Sequence, residues 1–319
     1  MVRQVDLHTF FTSTCDWQWV SHTQTEGWVS AFLQSADIRC FVSGQIACIG
    51  WLSRKWGRTM LTITGECFRS LPVTEKQVFA FFEQVARTDA DIIYVNSDSL
   101  YSPLYEAGIR QAGFLRPVGM FSTTLSKEIP LERPYVFDKS WQRNLQKADE
   151  AQLRFVPVAA PSEEVLADYV RLHGEMERRK GFRDGLTAEQ LRAILSHPEF
   201  RLAWVDDRED RHLAGGIVFC RGDYARFLYS FTTDEGRQMS ASYFLYKGLM
   251  DALAADGVQR FDLGRLSPSK TQKNNLFLFK NGIDGTTVSY NGEWSYTTSR
   301  WMPFALCLAN KYYWKRVQV

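Results

Sequence analysis

An α/β architecture of mixed sheets, assembled as two similar halves, is the fold class this sequence predicts. Three observations carry it. Strand-like and helix-like patterns alternate along the chain. The landmarks of the first half recur at a constant offset in the second. At 319 residues the chain is also long enough for two cores rather than one.

In the first half, residues 39–50 and 58–68 are β-branched and aromatic runs broken by Gly, which predicts strands. Thr74 opens a helical stripe of Val78, Phe79, Phe82, Val85 and Ala86. Asp91 to Val95 is a short apolar strand, Pro103 to Gln111 a helix stopped by Gly113, and Phe114 to Leu125 another strand. The second half repeats the order. Ser242 caps a helix that buries Leu245, Leu249, Ala252 and Leu253, a strand follows at Arg260 to Gly264, a helix at Gln272 to Lys280 stops at Gly282, and Thr286 to Tyr290 is extended. Positions 74, 91, 103 and 113 map onto 243, 260, 272 and 282, a step of 169 each time. What repeats is the pattern, with little residue identity beyond Gly113 and Gly282.

The join falls near 127–150, where Pro130 and Pro134 break structure before a polar, basic helix at Ser140 to Glu150. The expected domains are therefore 1–138 and 139–319. The second domain adds a strand at Arg154 to Val158 and helices at 162–179 and 187–196. Hairpin strands at 200–206 and 212–220 and a strand at Tyr224 to Thr232 complete it.

Composition narrows the function classes. Apolar residues at 45% and charged ones at 23% indicate a globular chain, and 10 Trp with 22 Phe supply rings for packed surfaces or ligand grooves. A formal charge of +2 is too small for general nucleic-acid affinity by counterion release, so phosphate binding must come from local cationic clusters. The N-terminus shows no apolar signal region behind Arg3, and no run reaches the roughly 18 apolar residues of a membrane span. Six cysteines lie scattered without a CxxC pair, the pattern of buried thiols in a reducing, cytoplasmic setting. His173 and Glu177 stand four apart, but without a second ligand motif they read as polar groups on a helix surface, and no metal is expected.

An ordered series in the second half resembles the FemAB-like branch of the GNAT acyltransferases. It comprises Arg143-x-x-x-Lys147-Ala148 with Leu153-x-Phe155, Arg179-Lys180-Gly181-Phe182, and Ala214-Gly215-Gly216. Gly257-x-x-x-Phe261-Asp262-Leu263-Gly264-Arg265 and Phe279-Lys280-x-Gly282 follow. The series covers about 143–294, while the first half matches only in its order of elements. The resemblance implies tandem GNAT-like domains with a substrate groove between them. It also implies transfer of an acyl or aminoacyl group to an amine, as on a cell-wall precursor. The donor would be acyl-CoA or aminoacyl-tRNA, a co-substrate rather than a tightly bound cofactor. No long helical-arm insertion is present, a departure from the tRNA-using type.

Such chemistry needs an aligned carbonyl and amine, a stabilised oxyanion and a route for a proton. GNAT enzymes seat a pyrophosphate where a strand turns into a helix. The matching run is Arg237-Gln238-Met239-Ser240-Ala241-Ser242, with Ser in place of the small Gly-type residues. Arg237, Gln238, Ser240 and Ser242 are thus candidate donor-phosphate residues, although an ordinary Ser helix cap would look the same. Arg178, Arg179, Lys180 and Arg183 form the densest basic cluster, suited to an anionic acceptor or to a helix C-terminus. Arg179, Lys180 and Arg183, with Arg265 and Phe279, are the acceptor-side candidates. Asp262 lies near a strand end and could orient or deprotonate the amine, or form a local salt bridge. Lys280 stands where the family places a lysine, for a phosphate or the carbonyl oxygen, and Tyr229 is groove wall or proton carrier.

The C-terminal run, Arg300 to Arg316, is aromatic and ends in cations; it reads as a docking helix, or else as a peripheral contact with the inner membrane face. A second reading of the whole chain is a catalytically inert tandem domain that binds a glycan or nucleotide.

Overall fold

The computed structural model describes residues 2–55, 57–116, 124–182, 185–266, 275–299 and 301. Its elements run β1 (Arg3–Val5), α1 (Leu7–Thr14), β2 (Trp19–Val20), a single 3-10 turn (His22–Gln24), α2 (Glu26–Phe32), β3 (Asp37–Val42), β4 (Ile46–Lys55), β5 (Arg58–Thr64), β6 (Cys67–Phe68), α3 (Glu75–Ala86), β7 (Ile92–Leu100) and α4 (Pro103–Gln111). They continue as β8 (Leu125–Pro130), α5 (Lys139–Glu150), β9 (Arg154–Val158), α6 (Glu163–Lys180), α7 (Ala188–Leu195), β10 (Phe200–Asp206), β11 (His212–Arg221), β12 (Tyr224–Thr232), α8 (Asp234–Gln238), α9 (Ala241–Ala255), β13 (Arg260–Arg265), α10 (Asn275–Asn281) and β14 (Thr286–Thr297). The α/β class with mixed sheets is as expected. No helix among the described residues is long and apolar enough to cross a membrane, and no cluster of three or more metal-ligand side chains occurs among them.

The chain forms two compact units, one of residues 1–125 with 288–319 and one of residues 126–287. The first unit's sheet has the order β1-β3-β4-β5-β7-β14, with β5 and β7 parallel and the other neighbours antiparallel. The second unit's sheet has the order β8-β13-β12-β11-β10-β9, with β12 and β13 parallel and the rest antiparallel. In each, three antiparallel strands lead through a helix to a parallel strand, and a last antiparallel strand flanks that one. This is the repetition the constant offset predicts.

The division departs from the expected split at 138/139 in both directions. β8 follows α4 in sequence yet pairs with β13, and β14 follows α10 yet pairs with β7. Each unit is therefore finished by the strand that comes after the other's last described helix. Sequence periodicity sees a strand but not its partner, which is why a contiguous split was expected. Pro130 closes β8 as its last residue, where a missing N–H does least harm, with Ile129 buried beside it.

Local signals explain the remaining boundaries. The 39–50 run is a hairpin, with the Ser43 hydroxyl accepting from the Ile46 amide at 2.9 Å in its turn. Thr74 and Gln77 form a reciprocal capping box, as do Thr187 and Gln190. Gly181, at φ 73°, ends α6 in the left-handed region. The first unit's core packs Phe81, Phe82, Tyr105 and Phe114 against Ile63, Ile93 and Trp294. The second packs Leu245, Leu249 and Met250 of α9 against Ala225 and Phe261. Of the described cysteines, Cys40, Cys48, Cys67 and Cys220 are buried free thiols and Cys15 is exposed. The C-terminal run beyond Arg300, Trp301 excepted, lies outside the described residues.

The first unit buries a carboxyl where β5 ends. Glu66 is fully buried, and the Tyr105 hydroxyl donates to its Oε1. Burial pushes the carboxyl up to about 7 and Asp98 adds to the rise, while hydrogen bonds from Tyr105 and Ser97 oppose it. An acid raised on folding favours the folded state at low pH. Its contribution is complete below the unfolded value near 4.5 and is lost as pH climbs through about 7. Urea unfolding at pH 4.5, 6, 7 and 8.5 should show stability falling between about pH 4.5 and 7, by up to about 1.4 kcal/mol per pH unit, and levelling off above that. Glu66→Gln should flatten that slope. Equal slopes in the two proteins would mean that Glu66 is not the titrating group.

Candidate active site in the second unit

The second unit's parallel strands part. β12 and β13 are in register at Tyr224–Arg260, Ala225–Phe261 and Arg226–Asp262, and the ladder stops there. β12 continues six residues further, to Thr232, and β13 three further, to Arg265. Two bulges accompany the parting. On β12 the pairing with β11 skips Leu228, between Phe227 and Tyr229. On β13 the three steps from Asp262 to Arg265 face the two steps of β8 from Glu128 to Ser126. Gly264 lies within that second bulge at φ 74°, a conformation that suits glycine. In the first unit, by contrast, β5 and β7 stay paired from Met60–Ile92 to Thr64–Asn96, where β5 ends.

At the inner end of the opening, Asp262 is fully buried. Its carboxylate accepts from the Gly264 amide at 2.7 Å, the Tyr224 hydroxyl at 2.7 Å and the Ser126 hydroxyl, which also lies 2.8 Å from the Gly264 carbonyl. Arg226, the cross-strand neighbour, brings its Nε to 3.7 Å. Lys280 projects from α10 into the same place, with its Nζ donating to the Arg265 carbonyl at 2.7 Å. Burial lowers Lys280 to about 8; the pull of Asp262 opposes this, while the charges of Arg226 and Arg265 add to it. The structure thus brings Lys280, Asp262 and Arg265 together, as the sequence suggested. It adds Ser126, Tyr224 and Arg226. Phe279 has a different position: its ring packs among Trp141, Tyr243 and Tyr246, with centroids 4.8–4.9 Å apart.

At the outer end, β12 gives way to α8 and α9. α9 starts at Ala241 rather than at the expected Ser242. Ser240 occupies its cap position at φ 59° and makes no side-chain cap bond; its hydroxyl reaches Asn144 Oδ1 at 2.9 Å instead. The first amides of α9 therefore lack the usual side-chain acceptor, which suits an anion. The Ser242 hydroxyl lies 2.6 Å from that of Thr232, and Gln238 is exposed at the end of α8.

The basic cluster converges on this turn. Arg179 donates to Asp234 Oδ1 at 2.6 Å and to the Thr232 carbonyl at 2.8 Å, and Arg237 donates to the same Asp234 oxygen at 2.5 Å. Lys180 is lowered by the crowding of protein around it and then by the charges of Arg179 and Arg237. Residues assigned from sequence to separate donor and acceptor sites are one cationic site. Arg183 lies outside the described residues.

Between the two ends, Tyr229 follows the β12 bulge and meets His173 of α6 edge-on. His173 and Glu177 are buried, at 2% and 8% exposure, and are not the surface groups their spacing suggested. Six residues of extended strand separate Arg226 from Thr232, about 20 Å. The opening thus spans that distance, with cations at one end and a buried lysine–carboxylate centre at the other.

Residues 138–272 match the model of the acetyltransferase (GNAT) domain family, within the second unit. Among solved structures, FemX is similar with a TM-score of 0.75 at 12% identity, over 96% of this chain and 99% of that one. The C-terminal domain of a proposed lysylphosphatidylglycerol synthetase from Agrobacterium fabrum gives 0.62 at 14% identity, covering 94% and 95%. A tandem GNAT protein from the clavulanic acid biosynthesis pathway gives 0.50 at 12%, covering 94% and 99%. No curated protein matches the chain in sequence. The whole chain therefore has the tandem GNAT fold, of the form seen in FemX.

Ser126→Ala should destabilise the protein by about 1–3 kcal/mol, because a buried carboxylate loses a donor. Combined with Asp262→Asn, the cost should be less than the sum of the two single losses in urea unfolding. Strict additivity would show that Ser126 does not hold Asp262.

Proposed function

We propose that this chain transfers an acyl group from a phosphate-bearing donor to an amine, and that the second unit holds the donor. The observation that carries the reading is the parted pair β12/β13, with Arg179, Lys180 and Arg237 at its outer end and Lys280 with Asp262 at its inner end. Donor phosphates would rest on the cationic site and the first amides of α9. The donor's arm would lie along β12, whose edge beyond its pairing with β13 suits an amide-containing chain laid down as an added strand. The span of about 20 Å favours a long-armed acyl thioester such as acyl-CoA over the compact ester end of an aminoacyl-tRNA.

In the reaction the neutral amine attacks the acyl carbon. A C–N bond forms, the C–S bond of a thioester (or C–O bond of an ester) breaks, and a proton passes from the amine to the departing group. Lys280 as an ammonium would stabilise the negative charge on the carbonyl oxygen. Tyr229, beside the bulge, would donate the proton to the leaving group. Asp262 is better suited to fixing the charges of Lys280 and Arg226 than to meeting an amine, since it is fully buried and already accepts three hydrogen bonds. The likeness to FemX and to a lysylphosphatidylglycerol synthetase domain supports an acceptor of the cell envelope, a precursor or a lipid.

Incubation with a panel of acyl-CoAs and aminoacyl-tRNAs, together with lipid-linked and nucleotide-linked amines, should yield an acylated amine by mass spectrometry. Ligand binding without product from any pair would instead favour an inert tandem domain. Because Lys280 must be protonated to act, kcat should fall as pH rises through about 8. That descending limb should vanish in Lys280→Met, whose rate is low throughout. A Lys280→Met profile that matches wild type removes Lys280 from the chemistry.

A further inference from the structure

Helix α6 runs beside β12 and carries more than its terminal cations. His173 and Glu177, one turn apart, are both buried, with Nδ1 and Oε1 separated by 3.5 Å. One face of the His173 ring stacks on Tyr169 at 6.1 Å and 14°, and the ring meets Tyr229 edge-on at 6.2 Å and 83°. Glu177 is held in turn by the Gly185 amide, which donates to its Oε1 at 3.2 Å. Tyr169 is fully buried, and its hydroxyl has no hydrogen-bond partner among the described residues. Burial raises this phenol well above its usual range, and Tyr229 adds to the rise, so the two phenols face one environment.

A buried polar pair is a weak device for stability, because apolar residues of the same volume commonly serve as well or better. Its place along the open stretch of β12 calls for another use. We propose that His173 and Glu177 are a positioning pair that fixes the Tyr229 ring against the wall of the opening. The pair thereby sets Tyr229's delivery of a proton to the leaving group. Glu177 holds the imidazole, and the imidazole limits the rotation of the tyrosine at the bulge, where the strand itself is irregular. The inference rests on the transferase reading and assigns the pair no contact with substrate.

A double-mutant cycle tests it on the full-length protein, using whichever donor and amine give product. His173→Gln should lower kcat by about 10–100-fold, part of what a general acid supplies, with the donor KM nearly unchanged. In a Tyr229→Phe background the same change should cost little more. Glu177→Asp should retain more activity than Glu177→Leu. If His173→Gln proves unfolded in a thermal melt, Glu177→Gln carries the same cycle. Equal fold-losses in the presence and absence of the Tyr229 hydroxyl overturn the inference alone, as does an unchanged kcat in a folded variant. Absence of product from the wild-type protein overturns the transferase reading, and this inference with it.

Discussion

The second unit depends on one buried carboxylate. Asp262 sits at the last position where β13 pairs with β12 and gathers the Gly264 amide, the Tyr224 hydroxyl from β12 and the Ser126 hydroxyl from β8. A charge removed from water is costly unless it is fully bonded, and these three donors come from three adjacent strands. Where Asp262 is satisfied, the strands are tied together; one residue later they part. The Gly264 amide turns back to the carboxylate, and the positive φ at that glycine redirects the chain that follows, within the bulge of β13. The same carboxylate draws on Lys280 and Arg226, so the knot that holds the sheet also sets the charge at the inner end of the opening.

The two units share a topology but not this feature. In the first, the parallel pair is zipped to the end of β5, and the Gly65 amide extends it by donating to the Asn96 carbonyl at 2.8 Å. A neutral-leaning carboxyl, Glu66, then turns inward to Tyr105, and Ser97, Ser99 and Asn291 continue the hydrogen-bonded chain behind it. Burial raises the Glu66 carboxyl to about 7, whereas Asp262 meets three hydrogen-bond donors and lies beside two cations. Repetition of fold therefore does not imply repetition of site.

Much of this was legible in the sequence, and the exceptions have physical causes. Period located several helices closely: Thr74 caps α3 as the pattern places it, and the helices expected at 103–111, 162–179 and 187–196 begin within one residue of that. Asp262, Lys280 and Arg265 were singled out and do converge. Partnership across the chain was invisible. Nothing near Ser126 tells that its hydroxyl meets a carboxylate 136 positions away, and the exchange of β8 and β14 defeats any contiguous boundary. A signal for Arg226 was available, since a lone cation in Tyr224-Ala225-Arg226-Phe227-Leu228 calls for a partner inside the sheet. His173 and Glu177 misled because a polar i, i+4 pair is usually solvated, and only the aromatic surroundings of Tyr169 and Tyr229 reveal a buried one.

A chain of net charge +2 cannot rely on its overall field to hold a polyanionic donor, so the cations must be arranged rather than abundant. Asp234 supplies the arrangement. By accepting from both Arg179 and Arg237 on one oxygen it gives up part of the local positive charge, but it fixes two guanidiniums that would otherwise sample many rotamers. Arg179 is also anchored to the Thr232 carbonyl at the very end of β12. In the proposed reading, a phosphate at the start of α9 would meet donors already oriented, and the entropy of ordering them would be spent in folding rather than in binding. Attraction is traded for placement, which is what the proposed reaction, about 20 Å away along the strand, would require.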